Sequence, residues 1–238
     1  MRLLSVTNLT KTFGGLTAIN SVNFSMDKGQ IVSVIGPNGA GKTTFFNMIS
    51  GYYVPDSGTI TFDGKNLTKL SPERVAQQGI ARTFQNIRLF KDMLVAENIL
   101  VGRYMRMRES LFDIVLRLPR LQREEQAAYD KVLELLDYVG LSGKEQELAK
   151  NLSYGQQRRL EIARALALEP KLLLLDEPAA GLNPKETEEM KSFILKIRRE
   201  KDMTILLIEH DMKLVMGLSD RITVINYGVK IAEGTPEE

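Results

Sequence analysis

The sequence predicts an α/β fold with a mostly parallel core sheet, an N-terminal antiparallel β subdomain and an inserted helical subdomain. Three observations carry this reading. Apolar and polar residues alternate near the N-terminus, as in strands with one face buried. Several runs are apolar throughout, as in strands covered on both faces by helices. A central stretch loses strand-like alternation and reads as helix.

Taken in order, Leu4, Val6 and Leu9, then Val22, Phe24 and Met26, and later Ile60 and Phe62 alternate with polar residues near Gly29, Gly58 and Gly64. They predict the antiparallel subdomain. Residues 31–35, 172–175, 204–208 and 222–225 are the apolar runs and predict the parallel core. Between Glu97 and Leu148 the chain turns to Met, Leu, Arg, Glu and Gln, with Pro119 and Gly140 dividing it into helical pieces. The expected organisation is a single domain over residues 1–238. Residues 1–88 and 152–238 form the catalytic core with its antiparallel subdomain, and residues 89–151 form the helical arm.

At 238 residues the chain has room for one core and one site. Lys and Arg number 32 against 30 Asp and Glu, so net charge gives no ground for a nucleic-acid partner or for adhesion to anionic lipid. The absence of cysteine excludes disulfides, thiolate metal sites and cysteine nucleophiles, and suits a reducing, cytosolic compartment. Residues 1–5 enter a strand pattern rather than a signal peptide, and no apolar run approaches the ~20 residues of a membrane span. Partners are therefore expected to hold the chain at any membrane where it works.

Gly36-Pro37-Asn38-Gly39-Ala40-Gly41-Lys42-Thr43 fits the G-x-x-x-x-G-K-[ST] pattern, between an apolar strand and the helical run 44–49. Glycines let such a loop curl so that its N–H groups face inward, and the following helix adds the positive end of its dipole. Lys42 is expected to neutralise the β and γ phosphates of a nucleotide, Thr43 to offer Mg²⁺ a hard oxygen ligand, and Thr44 to bond the α phosphate. Asp176 and Glu177 end the apolar run 172–175, where open α/β sheets bind ligands. Phosphoryl transfer needs charge neutralisation and in-line positioning of water, which assigns the metal shell to Asp176 and the attacking water to Glu177. His210, the single histidine, follows the run 204–208 and is placed to reach both the γ phosphate and Glu177.

These motifs, in this order and over essentially the whole chain, resemble the ABC transporter ATPases, which implies a P-loop NTPase fold and ATP and Mg²⁺ as ligands. Leu152-Ser153-Tyr154-Gly155-Gln156 resembles the family's LSGGQ signature, with Ser153 placed to cap the next helix. The resemblance implies a head-to-tail dimer in which Ser153, Tyr154, Gly155 and Gln156 face the ATP of the partner subunit. Tyr154 stands where the family usually has glycine. Ala180-Gly181-Leu182-Asn183 resembles the D-loop, with Asn183 where many members have Asp. Gln85 matches the Q-loop glutamine, which touches the magnesium site and moves with the membrane subunit. Phe13 matches the aromatic that stacks on adenine.

Residues 82–90, 179–187 and 209–217 look most like the ATPases of branched-chain amino acid importers. Urea or short-amide importers and the lipopolysaccharide-export ATPase share much of this pattern, and soluble non-transport ABC ATPases are the alternative from another class. The implied partners are a second ATPase subunit, identical or related, two integral membrane permease subunits and, indirectly, a periplasmic or extracellular substrate-binding protein. The implied location is the cytoplasmic face of the cell membrane. Arg88, Leu89, Phe90, Met93, Tyr104, Met105, Met107, Leu111 and Phe112 are expected to form a groove for a short permease helix. Relatives of this kind usually continue into another helix after the position of Glu238.

Overall fold

The computed structural model of the chain describes residues 1–104 and 119–238. It divides into two compact units, one formed by Met1–Gln85 with Lys171–Glu238 and the other by Asn86–Pro170.

The first unit begins with β1 (Arg2–Phe13) and β2 (Leu16–Asp27), followed by β3 (Ile31–Ile35), α1 (Lys42–Ile49), β4 (Ser57–Phe62) and β5 (Lys65–Asn66). β1, β2, β4 and β5 make an antiparallel sheet in the order β2-β1-β4-β5. Leu4, Val6, Leu9, Val22, Phe24, Met26, Ile60 and Phe62 are all buried. The three-residue step from Val6 to Leu9 breaks strict alternation because the register shifts there, with Asn8 at φ +48°. The Asn8 and Asn23 side chains stabilise this bulge: the Asn8 N–H donates to Asn23 Oδ1 at 2.9 Å, and Asn23 Nδ2 donates to Asn8 Oδ1 at 3.0 Å.

After α2 (Pro72–Gln77) comes β6 (Ile80–Arg82). Beyond the second unit follow β7 (Leu172–Asp176), β8 (Thr204–Ile208), β9 (Arg221–Asn226) and β10 (Val229–Gly234). The second sheet has the order β10-β9-β3-β8-β7-β6 and is parallel except for β10, which pairs antiparallel with β9. Every residue of β7 and β8 is buried, as the apolar runs 172–175 and 205–208 within them require. α1 places Phe45, Phe46, Met48 and Ile49 in a core shared with Phe24, Val32 and Leu206. Full burial of each phenylalanine contributes about 1.5–3 kcal/mol, and Phe45 meets Phe24 edge-on at 5.4 Å.

The second unit contains α3 (Val95–Tyr104), α4 (Pro119–Tyr138) and α5 (Tyr154–Leu166). Pro119 opens α4, and Gly140 follows its end at φ +74°. The arm read from composition at residues 89–151 lies inside this unit, which also takes in α5 because α5 packs against α3. Met105, Met107, Leu111 and Phe112 lie outside the described residues. Among the described residues, no helix is long and apolar enough to cross a membrane.

Candidate active site

The loop between β3 and α1 gives α1 an N-terminus open to an anion. Gly41 is its N-cap at φ +103°, no side chain caps the helix, and its first turn carries no acid. The unused N–H groups and the positive dipole end are left for an external negative charge. A Cβ on Gly41 would lie 2.4 Å from the Ala18 carbonyl oxygen, so glycine is required both for the left-handed backbone and for the close approach to β2. Lys42 is buried, and its ammonium donates to the carbonyls of Gly36 at 2.8 Å and Pro37 at 2.9 Å. Burial pushes the Lys42 ammonium below its ordinary pKa, opposed by the charges of Glu177 and Asp176. An anion seated in the loop would add the full negative partner that two carbonyl dipoles lack.

A cleft of about 740 Å³ opens over this loop. Phe13, Asn38, Gly39, Ala40, Gly41, Lys42, Thr43 and Thr44 line it, together with Gln85, Glu177 and His210. Gly36 and Pro37 do not line it and contribute their carbonyls to Lys42. Phe13 is 40% exposed at the end of β1 and meets Tyr53 edge-on at 5.2 Å, so it is a surface aromatic at the cleft and not a core residue.

Sheet order converges the three expected catalytic side chains. β6, β7 and β8 are neighbours, and Gln85, Glu177 and His210 each follow the end of one of them. Glu177 Oε2 accepts from Gln85 Nε2 at 2.9 Å, and Glu177 Oε1 lies 2.8 Å from His210 Nε2. Glu177 adopts φ +48°, uncommon for glutamate, while its N–H donates to the Ile208 carbonyl at 2.9 Å. Both carboxylate oxygens are thus held at the cleft.

Asp176 is not part of the lining. It is 3% exposed and its Oδ2 accepts from Arg82 Nη2 at 2.9 Å. The same guanidinium donates to Asn47 Oδ1 at 2.6 Å and Ser50 Oγ at 2.9 Å, and lies 4.9 Å from the Phe84 ring centre. Arg82 stands in a segment the sequence singles out, but nothing in that segment reveals its partner 94 residues away. Glu209 is a second residue that sequence reasoning missed. It is 4% exposed, Oε1 accepts from the Ala179 N–H and Oε2 from the His210 N–H, both at 2.9 Å. It thereby ties the segment after Glu177 to the one bearing His210. Its one legible signal is a carboxylate at the end of a wholly apolar strand.

Signature residues Ser153, Tyr154, Gly155 and Gln156 belong to the second unit. Ser153 caps α5 as expected, and Gln156 completes a reciprocal capping box: Ser153 Oγ accepts from the Gln156 N–H, and Gln156 Oε1 accepts from the Ser153 N–H. Tyr154 is the first residue of α5 and has no positive φ, so the glycine usual there is not needed for the backbone. Its hydroxyl accepts from Arg158 Nη2 at 3.3 Å, and fully buried Arg158 pairs with Glu161 at 2.9 Å. Asn183 caps α6 (Pro184–Lys201): its Oδ1 accepts from the N–H groups of Lys185 and Glu186 at 3.0 Å.

Comparison with known proteins gives a consistent picture. The family model described as ABC transporter matches residues 19–180. The high-affinity branched-chain amino acid transport ATP-binding protein LivG of Escherichia coli (strain K12) is 50% identical over 236 residues, covering 99% of this chain and 92% of that one. BraF of Pseudomonas aeruginosa, described in the same words, is 49% identical with the same coverage. Among solved structures, a nucleotide-free ATP-binding cassette from an ABC transporter aligns with a TM-score of 0.86 at 34% identity, covering 99% of this chain and 92% of that chain. A dimeric ATP-binding cassette in a post-hydrolysis state, bound to ADP and Pi, aligns with a TM-score of 0.81 at 26% identity, covering 98% and 99%.

Proposed function

The chain belongs to the ABC transporter family, and from that premise we propose that it binds and hydrolyses ATP to power import of branched-chain amino acids. The observation that carries the hydrolytic reading is the Glu177 carboxylate, held by Gln85 and His210 at the cleft that the phosphate loop lines.

Adenine rests against Phe13, the N–H groups of Asn38, Gly39 and Gly41 with Lys42 take the β and γ phosphates, and Thr44 takes the α phosphate. Glu177 orients a water in line with the γ phosphorus. Its attack breaks the bond to the bridging oxygen and releases ADP and phosphate. His210 fixes Glu177 and reaches the γ phosphate. The Thr43 hydroxyl, the Gln85 amide and, through water, Asp176 are hard donors, and no cluster of three or more His, Cys, Asp or Glu able to hold a metal occurs among the described residues. That set fits Mg²⁺ arriving with the nucleotide, where the ion would neutralise charge on the phosphates.

One phosphate loop and one signature per chain suit a head-to-tail dimer, with a second copy or a related ATPase supplying Ser153, Tyr154, Gly155 and Gln156 to each ATP. The dimeric, ADP-bound relative supports this arrangement. Two permease subunits hold the pair at the cytoplasmic face of the membrane, and a substrate-binding protein delivers cargo to them. The cargo reading rests on the names of LivG and BraF.

Magnesium-dependent ATP hydrolysis by the wild type and Glu177→Gln, with size-exclusion chromatography and light scattering, tests the motor. Hydrolysis should fall at least ~100-fold in the variant, and ATP should trap it as a dimer. Full hydrolysis by Glu177→Gln would sink the assignment. Uptake of labelled leucine by vesicles carrying the assembled transporter tests the cargo.

A further inference from the structure

The cleft bears an exposed aromatic that the proposed function has not used. Tyr227 lines the cleft and is 86% exposed. Asn226 pairs with Val229, so Tyr227 and Gly228 form a two-residue hairpin loop with φ +45° and +75°. This is the type I′ pattern, whose first position favours Asn, Asp or Gly. A bulky aromatic with left-handed backbone is strained there, and a side chain in water returns no burial to offset the strain.

The hairpin is fixed against the phosphate loop. Its Gly228 N–H donates to the Ala40 carbonyl at 2.9 Å, and its Gly228 carbonyl accepts from the Asn20 N–H at 2.8 Å. Tyr227 is therefore carried next to the anion-binding turn, in a lining that also includes exposed Leu16 and Phe13. A nucleotide brings one polyanionic half and one flat, weakly polar half. The polar groups of residues 38–44, Gln85, Glu177 and His210 suit the first, and Phe13, Leu16 and Tyr227 suit the second.

Building on the nucleotide reading, we propose that Tyr227 is a second nucleoside contact, packing its ring against the base or ribose from the β9–β10 hairpin while Phe13 does so from the β1–β2 turn. It sets nucleotide affinity without touching the phosphates.

Calorimetric titration of wild type, Tyr227→Asn and Tyr227→Phe with ADP and with tripolyphosphate tests this. Asparagine suits the turn, so the thermal midpoint of Tyr227→Asn should hold or rise. Its ADP affinity should fall roughly fivefold or more, its tripolyphosphate affinity should stay unchanged, and Tyr227→Phe should bind ADP as the wild type does. Wild-type ADP affinity in Tyr227→Asn, or equal loss of both ligands, would overturn the contact. A wild type that binds tripolyphosphate but shows no preference for ADP would overturn the nucleotide reading and this inference together.

Discussion

Glu209 gives the clearest residue-scale prediction. Burial pushes its carboxyl up from 4.5; the N–H groups of Ala179, His210 and Asp211 oppose this, and the charge of Glu177 adds to it. A carboxyl whose folded pKa is raised binds its proton more tightly in the folded state. Its stabilising contribution is full below about pH 4.5 and is lost as pH rises through the folded value. The stability of the wild type relative to Glu209→Gln should therefore decline as pH rises above about 4.5. Urea unfolding of both proteins at each pH measures the difference, and a difference that grows with pH would refute the assignment. Asp176 shows the opposite strategy for burying a carboxylate, since Arg82 supplies the compensating charge at 2.9 Å and both side chains are almost wholly buried.

At the scale of elements, the helix N-termini near the motifs are of two kinds, capped and uncapped. α1 has no side-chain cap, which leaves its N–H groups to a ligand, whereas α5 and α6 both carry complete capping boxes. Asn183 is thus occupied within its own chain, whatever it faces in an assembly. Asn183→Ala should cost about 1 kcal/mol in urea unfolding, and Asn183→Asp, which keeps the acceptor, should not. Equal loss in both variants would show that the amide acts other than as a cap. Strands whose burial is continuous or largely alternating were legible in the sequence; β5, β6 and β10 were not. β5 and β6 are two and three residues long, too short to display a period, and β10 is a largely exposed edge strand without an apolar face to announce it.

At the scale of the whole molecule, the chain leaves the first unit after Gln85, enters the second at Asn86 and returns to the first at Lys171. Within the second unit, Phe90 and Tyr104 are about half exposed, and buried Asn98 holds the loop before α3 by bonding the Phe90 N–H and the carbonyls of Phe90 and Leu94. A firmly held loop presenting an exposed aromatic suits permease docking. Truncating Phe90 and Met93 together to alanine should abolish uptake by the assembled transporter and leave ATP hydrolysis by the isolated subunit near wild type. Parallel measurement of both activities checks this, and equal loss would count against docking there.

The sequence by itself determined the glycine-rich loop between β3 and α1, the place of Asp176 and Glu177 at the end of β7, the Ser153 cap and the class of fold. Each depends on neighbours a few residues apart, where backbone sterics, capping and burial period act directly on adjacent positions. Tertiary structure alone decided that Gln85, Glu177 and His210 share one hydrogen-bonded cluster, that Arg82 neutralises Asp176, and that Tyr227 lines the same cleft as residues 38–44. Such meetings depend on the order and register of parallel strands. Core packing sets these over separations of 92 and 94 residues for the Gln85–Glu177 and Arg82–Asp176 contacts, and local pattern carries no record of them.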